Sequence, residues 1–112
     1  MCSEQVSMDF LTRFKDLLAK GLVVFETRNR KTSDFMRNYA LYFEDVKEIL
    51  EELEPSEVYE GPSADHNGSP GEVMVFLHDW EHLKLYIKLK VVTLQDGNTG
   101  AILSVHEEGL YD

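Results

Sequence analysis

The sequence predicts an α+β domain in which N-terminal helices pack on one face of an antiparallel β-sheet. Apolar residues recur at helical spacing in the first half of the chain and alternate with polar residues in the second half. Pro55 and the turn-rich segment GPSADHNGSPG at residues 61–71 separate these two patterns. The length of 112 residues suits one domain, which we place over residues 1–112.

The first helix is expected to begin near Ser7, which can cap it, and to end at Gly21. Its apolar face repeats at helical spacing through Phe10, Leu11, Phe14, Leu17 and Leu18. A short strand over residues 22–25 follows, because its side chains are β-branched, aromatic or leucine. Residues 27–31 then form a basic connector.

Two further helices are predicted over residues 34–39 and 44–53. The second has one apolar face, made by Val46, Ile49, Leu50 and Leu53. Its other face is acidic, since residues 44–60 hold eight carboxylates and one lysine, or −7 of the formal net charge of −10. A solvated helix surface is the simpler interpretation of this run, and a patch for a basic protein is the alternative.

The turn residues at 61–71 predict a mobile loop. Three strands are predicted after it, joined by turns at residues 78–81 and 96–98. Their bounds are residues 72–77, 83–94 and 101–107. Because the connections are short, we expect an antiparallel meander.

Alternation along the last two strands predicts one polar face. Successive strand side chains point to opposite sides of a sheet. In the last strand, Leu103 and Val105 are therefore expected to face the core, and Ile102 the other side. If the apolar sets lie beneath the helices, the open face is shared by Tyr86, Lys88, Lys90, Ser104 and His106.

These side chains suit metal-independent cleavage of RNA. Such cleavage needs a base for the ribose 2′-OH, a cation for the phosphoryl oxygens and an acid for the departing 5′-oxygen. His106 is the candidate acid or base, Tyr86 can donate or carry a proton, and Lys88 can hold the phosphate. Candidate RNA-binding residues are Lys90, Arg28, Arg30 and Lys31. The alternative is an ordinary solvated sheet face, where Lys and Tyr are common.

Other chemistries find little support in the sequence. There is no CxxC or HExxH pattern, and His78 and His82 are predicted to lie in a turn, so we expect no metal and no cofactor. The single Cys2 excludes an internal disulfide and fits a cytoplasmic protein. No apolar run approaches the roughly 20 residues that cross a bilayer, so no membrane association is expected.

Three stretches of the chain resemble MqsR-type toxins of type II toxin–antitoxin systems. They are residues 21–76, LYIKLKV at 85–91 and ILSVHEE at 102–108. The likeness is carried by Glu-Val-Tyr-Glu-Gly-Pro, Pro-Gly-Glu-Val and Tyr-Ile-Lys-Leu-Lys taken together. It implies a RelE-like ribonuclease fold and sequence-selective cleavage of messenger RNA, with a cognate antitoxin protein as the neutralising partner. No direct contact with DNA is expected.

The resemblance also assigns residues. The active-site tyrosine of the family falls on Tyr86, and a lysine near the end of the last strand falls on or beside His106. A family lysine before the loop falls at Glu60, where the charge is reversed. This departure and the net charge favour an alternative, a non-catalytic protein-binding module or a degenerate toxin that acts through a partner.

Overall fold

The computed structural model describes residues 3–26, 30–64, 68, 70–95 and 97–108, with residues 3 and 4 described by their backbone only. Arg28 and Cys2 therefore lie outside the described residues. The α+β class is confirmed. The helices are α1 (Ser3–Ala19), α2 (Lys31–Asn38) and α3 (Phe43–Glu51), with a 3-10 turn at Pro55–Glu57. The strands are β1 (Val23–Phe25), β2 (Val58–Ala64), β3 (Glu72–Trp80), β4 (Leu83–Leu94) and β5 (Gly97–Glu107).

The described strands form one mixed sheet in the order β1-β5-β4-β3-β2. Neighbours from β2 to β5 are antiparallel, as the meander prediction required. However, β1 pairs parallel with β5, so the prediction of a purely antiparallel sheet is wrong. Alternation reports which side of a sheet a residue faces, but it contains nothing about the partner or direction of a strand separated from its neighbour by most of the chain.

The segment that was predicted to be a loop contributes an edge strand. Residues 61–64 belong to β2, which pairs with β3 through two register shifts. At Gly61 the backbone has φ +104, and an added Cβ would lie 2.6 Å from the carbonyl oxygen of Val73. Only glycine fits such a close backbone approach. Turn-forming residues therefore also occur in an irregular edge strand, so the composition of residues 61–64 did not distinguish a strand from a loop.

Helices α1 and α3 pack on one face of the sheet, as predicted. The predicted apolar residues of α1 are all buried, and Phe10 contacts Phe76 with ring centroids 6.2 Å apart. Burial of each such side chain contributes about 1.5–3 kcal/mol. Ser7 is not the helix cap, because α1 begins at Ser3. The buried Ser7 hydroxyl instead donates to the carbonyl oxygen of Pro55 at 2.8 Å.

A β-bulge in β5 changes which side chains face the helices. Leu89 pairs with Ile102 and Lys88 pairs with Ser104, so Leu103 is an extra residue. Ile102 therefore belongs to the helix-side core, whereas Leu103 clusters with Val73 and Ala101 on the other face. The predicted sides of Ile102 and Leu103 are wrong, since strict alternation fails across one inserted residue.

His78 lies on β3, not in the turn predicted at residues 78–81. It is 7% exposed and faces the helix side. Its Nδ1 lies 2.8 Å from Glu57 Oε2, and its Nε2 lies 3.3 Å from Glu52 Oε1. An ionised carboxylate only accepts hydrogen bonds, so both contacts form together when both ring nitrogens carry protons. The ring thus connects β3 to the end of α3 and to the 3-10 turn.

Within the part of the chain that the structure describes, no helix is long and apolar enough to cross a membrane.

Candidate functional site

Tyr86 and His106 are cross-strand neighbours on the sheet face opposite the helices. The two residues are Cα partners in the β4–β5 ladder. Their ring centroids are 5.1 Å apart and their planes differ by 18°, which is a stacked arrangement. The bulge lies upstream of this pair, and the register after it places both rings on the same side. The structure therefore brings together the two candidate proton carriers that the sequence predicted.

A backbone carbonyl fixes the orientation of the His106 imidazole. Nδ1 lies 2.9 Å from the carbonyl oxygen of Glu107. Because a carbonyl can only accept, Nδ1 is the nitrogen that carries the hydrogen. In the neutral ring, Nε2 then holds the lone pair and is the proton acceptor. The geometry thus selects one tautomer, with a basic Nε2.

Lys88 lies on the same face, two residues before Lys90 and two after Tyr86 on β4. Its Cα partners are Val75 on β3 and Ser104 on β5. Its side chain is partly exposed. The Lys88–Ser104 pair therefore lies two residues along the β4–β5 ladder from the stacked Tyr86–His106 pair.

The prediction that this face is open is wrong for three of its five polar residues, which are buried. His106 is 4% exposed, Ser104 7% and Lys90 3%. The backbone at Gly71 packs against the Lys90 side chain and accounts for part of its burial. A Cβ added at Gly71 would lie 2.8 Å from Lys90 Cε. Lys90 was predicted to bind RNA, but its side chain is buried and offers almost no surface for direct contact with an RNA backbone.

The basic connector leads into α2 beside β5. Arg30 is exposed and immediately precedes α2, and Lys31 is its first residue. The next residue, Thr32, accepts a hydrogen bond at 2.9 Å from the backbone N–H of Val105, which precedes His106. Two of the predicted RNA-binding residues are therefore anchored near the outer edge of β5. Arg28 lies outside the described residues.

A second contact joins α2 to the same end of β5. The Tyr39 hydroxyl donates to Glu107 Oε1 at 3.2 Å. Desolvation, then the hydrogen bond and the charge of Glu107, raises the pKa of Tyr39 above its ordinary value of 10.0. The phenol consequently remains a neutral donor across the physiological pH range. Tyr39 packs against Phe35 and Trp80 on the helix side of the sheet, so this contact holds the end of β5 from the face opposite His106.

Sequence reasoning missed Thr32, and no pattern could have identified it. Its hydroxyl accepts a hydrogen bond from Val105, 73 positions along the chain, whereas the local sequence around Thr32 indicates only the start of a helix. His78 was considered only as part of a metal set. Among the described residues, no group of three or more His, Cys, Asp and Glu side chains is arranged to hold a metal ion. Glu60, where the chain has a carboxylate in place of the family's lysine, lies on β2 with its side chain exposed.

Comparisons of the chain with protein-family models, with curated proteins and with solved structures found no match.

Proposed function

We propose that this protein is a metal-independent endoribonuclease, an mRNA interferase of the class that the MqsR-type resemblance indicates, with a RelE-like fold. One observation carries the proposal. An imidazole with a basic Nε2 is stacked on a phenol, on the sheet face that also holds Lys88. These are the three kinds of group that acid–base cleavage of a ribose phosphodiester requires.

The proposed reaction is an attack within the substrate. His106 Nε2 takes the proton of the ribose 2′-OH while the 2′-oxygen forms a bond to phosphorus. The bond between phosphorus and the 5′-oxygen breaks, and the Tyr86 phenol gives its proton to that oxygen. Lys88 stabilises the charge on the non-bridging oxygens. The products are a 2′,3′-cyclic phosphate and a 5′-hydroxyl, and proton transfer from His106 through solvent restores Tyr86.

The charge distribution supports the proposal despite the net charge of −10. The acidic helix α3 packs against the opposite side of the sheet from Tyr86 and His106. Arg30 and Lys31 lie beside the edge of β5 and would bind the RNA backbone together with Arg28. Lys90, being buried, would act through its charge rather than by direct contact.

Access is the step that substrate binding must provide. Because His106 is only 4% exposed, substrate binding must open this face before Nε2 can reach a 2′-oxygen. Contacts in a free enzyme commonly tighten or rearrange only in the substrate complex. A cognate antitoxin that covers this face would keep the site closed, which is the regulation that the resemblance implies.

The test is cleavage of a messenger RNA by the purified protein in the presence of EDTA, with the ends of the products analysed. We expect 2′,3′-cyclic phosphate and 5′-hydroxyl ends, strongly reduced yield with His106→Ala and Tyr86→Phe, and near-normal yield with the matched control Tyr42→Phe. Tyr42 is 79% exposed and lies at the start of α3. Equal cleavage by both site variants and the unaltered protein would remove the site assignment.

The burial of His106 and Lys90 also favours a second candidate function, a non-catalytic protein-binding module. In that case the polar face is a structural layer, and the acidic surface of α3 binds a basic partner. The RNA assay separates the two, because a binding module leaves the substrate intact. Charge reversal at Glu48 and Glu51 would then abolish partner capture, and His106→Ala would leave it unchanged.

A further inference from the structure

The part of β5 that carries His106 runs along an edge that β1 does not reach. β1 pairs with β5 only from Gly100 to Ile102. Among the described residues, the neighbour of β5 beyond that point on this side is helix α2, not a strand. The backbone N–H of Val105 points to this outer side and donates to the Thr32 hydroxyl at 2.9 Å.

This hydrogen bond is fully enclosed. Thr32 is 1% exposed and Val105 is 0% exposed. A buried backbone N–H without an acceptor is strongly disfavoured, so one hydroxyl replaces the missing strand partner. The bond also lies two residues after the extra residue Leu103, where the ladder has just been interrupted. The hydrogen bond therefore holds β5 just after the bulge, where regular pairing supports the register of the strand least.

We propose that Thr32 is a positioning residue, whose hydroxyl holds β5 after the bulge in the register that keeps His106 stacked on Tyr86. The inference rests on the proposed function for its effect on cleavage, although the positioning itself does not depend on catalysis. A one-residue slip of β5 would turn His106 toward the helices and bring a neighbour to the site face. Smaller displacements would move Nε2 away from the 2′-oxygen that it must reach.

The decisive comparison is between Thr32→Val, which keeps the shape but removes the hydroxyl, and Thr32→Ser, which keeps the hydroxyl. We expect Thr32→Val to lower kcat by about 10- to 100-fold at unchanged KM, because geometry is lost and RNA contacts are kept. Thr32→Ser should recover most of the loss. The matched control is Thr12→Val on an exposed side of α1, for which we expect unaltered kinetics.

A spectroscopic readout separates this inference from the proposed function. Stacking on Tyr86 shifts the ring protons of His106 in NMR spectra, and we expect that shift to be lost in Thr32→Val and kept in Thr32→Ser. If the unaltered protein does not cleave RNA, the proposed function fails while the ring-proton comparison still decides the inference. Unchanged ring-proton shifts in Thr32→Val, with or without activity, would overturn it.

Hydrogen exchange of the unaltered protein covers the case in which Thr32→Val does not fold. A Val105 amide bound to Thr32 should exchange as slowly as the amides of the β4–β5 ladder. Fast exchange at Val105 would contradict the inference without any variant. Slow exchange, together with a rescued fold in Thr32→Ser, would support it.

Discussion

Among the described residues, two histidines of the sheet are buried, and they lie on opposite faces with different neighbours. His78 faces the helices between Glu57 and Glu52, with each ring nitrogen directed at a carboxylate oxygen. His106 faces the other side, stacked on Tyr86, with Nδ1 on the carbonyl oxygen of Glu107. The two residues are 7% and 4% exposed, so burial alone does not distinguish them.

The two rings differ in the groups that their nitrogens contact. At His78 both nitrogens are used to connect β3 with α3 and the 3-10 turn, so the ring acts as a structural link. At His106 the carbonyl oxygen of Glu107 accepts from Nδ1, so Nε2 carries the lone pair in the neutral ring, and the ring is stacked on the Tyr86 phenol. Under the proposed function His106 is the general base, so we expect the two histidines to differ in their effect on RNA cleavage.

The largest expected effect separates the two histidines by activity. His106→Gln should lower the rate of RNA cleavage by about 10²- to 10⁴-fold, the range for loss of a general acid or base. His78→Gln, on the other face, should leave kcat of the folded protein close to its starting value. Single-turnover cleavage at a temperature where both variants are folded measures this. Equal losses in the two variants would contradict the division of roles.

A somewhat smaller effect is expected from Tyr86→Phe, which keeps the stacked ring and removes only the hydroxyl. We expect a loss near the lower end of that range, about 10²-fold, because the proton donor is removed but the imidazole stays oriented. Substrates with a better leaving group at the 5′-position should be cleaved with a smaller loss. A loss that is independent of the leaving group would argue against Tyr86 as the acid.

On the helix side the expected effect is on stability. Glu57→Gln should lower the free energy of unfolding by about 1–3 kcal/mol, since its carboxylate is largely buried and bonds to His78 at 2.8 Å. Glu52→Gln, at 3.3 Å with a 63% exposed side chain, should cost less than about 1 kcal/mol. Urea unfolding measures both. A larger loss for Glu52→Gln would reverse the assignment of the main partner.

The smallest effect is expected beside His78, at the exposed pair of Asp79 and Lys84, which are 2.7 Å apart. The hydrogen bond from Lys84 and then its charge hold the pKa of Asp79 below 3.8, while the Asp79 hydrogen bond raises the pKa of Lys84 above 10.5. Because the pKa of Asp79 is lower in the folded state, the pair stabilises the fold above pH 3.8. This contribution is lost as the pH falls through the folded-state pKa of Asp79. Acid unfolding of Asp79→Asn should lack this small component, and high salt should weaken it in the unaltered protein.

Local patterns predicted much of the fold. Helical spacing identified the buried face of α1, and alternation identified the side of Tyr86 and Lys88 on β4. These features depend on residues close together in sequence. The parallel pairing of β1, the edge strand β2 and the bulge at Leu103 depend on distant segments, and no local pattern contains that information.

The sequence predicted which side chains share the candidate site, but not the contacts that hold them in place. Tyr86, Lys88 and His106 followed from alternation, and the prediction for His106 survived the bulge because the extra residue lies before it. Thr32 is separated from Val105 by most of the chain, so its contact has no sequence signature. The cover over Lys90 likewise depends on the backbone at Gly71.

The bulge in β5 has a consequence for comparing this chain with relatives. A homologue with one residue fewer at position 103 would keep Ile102 and Val105 toward the helices, and His106 on its present side, because the extra residue has no partner of its own on β4. An ungapped alignment of such a strand would mismatch every position on one side of the deletion. Evolutionary comparison of this strand should therefore match residues by the side they face and allow a single-residue gap at the bulge.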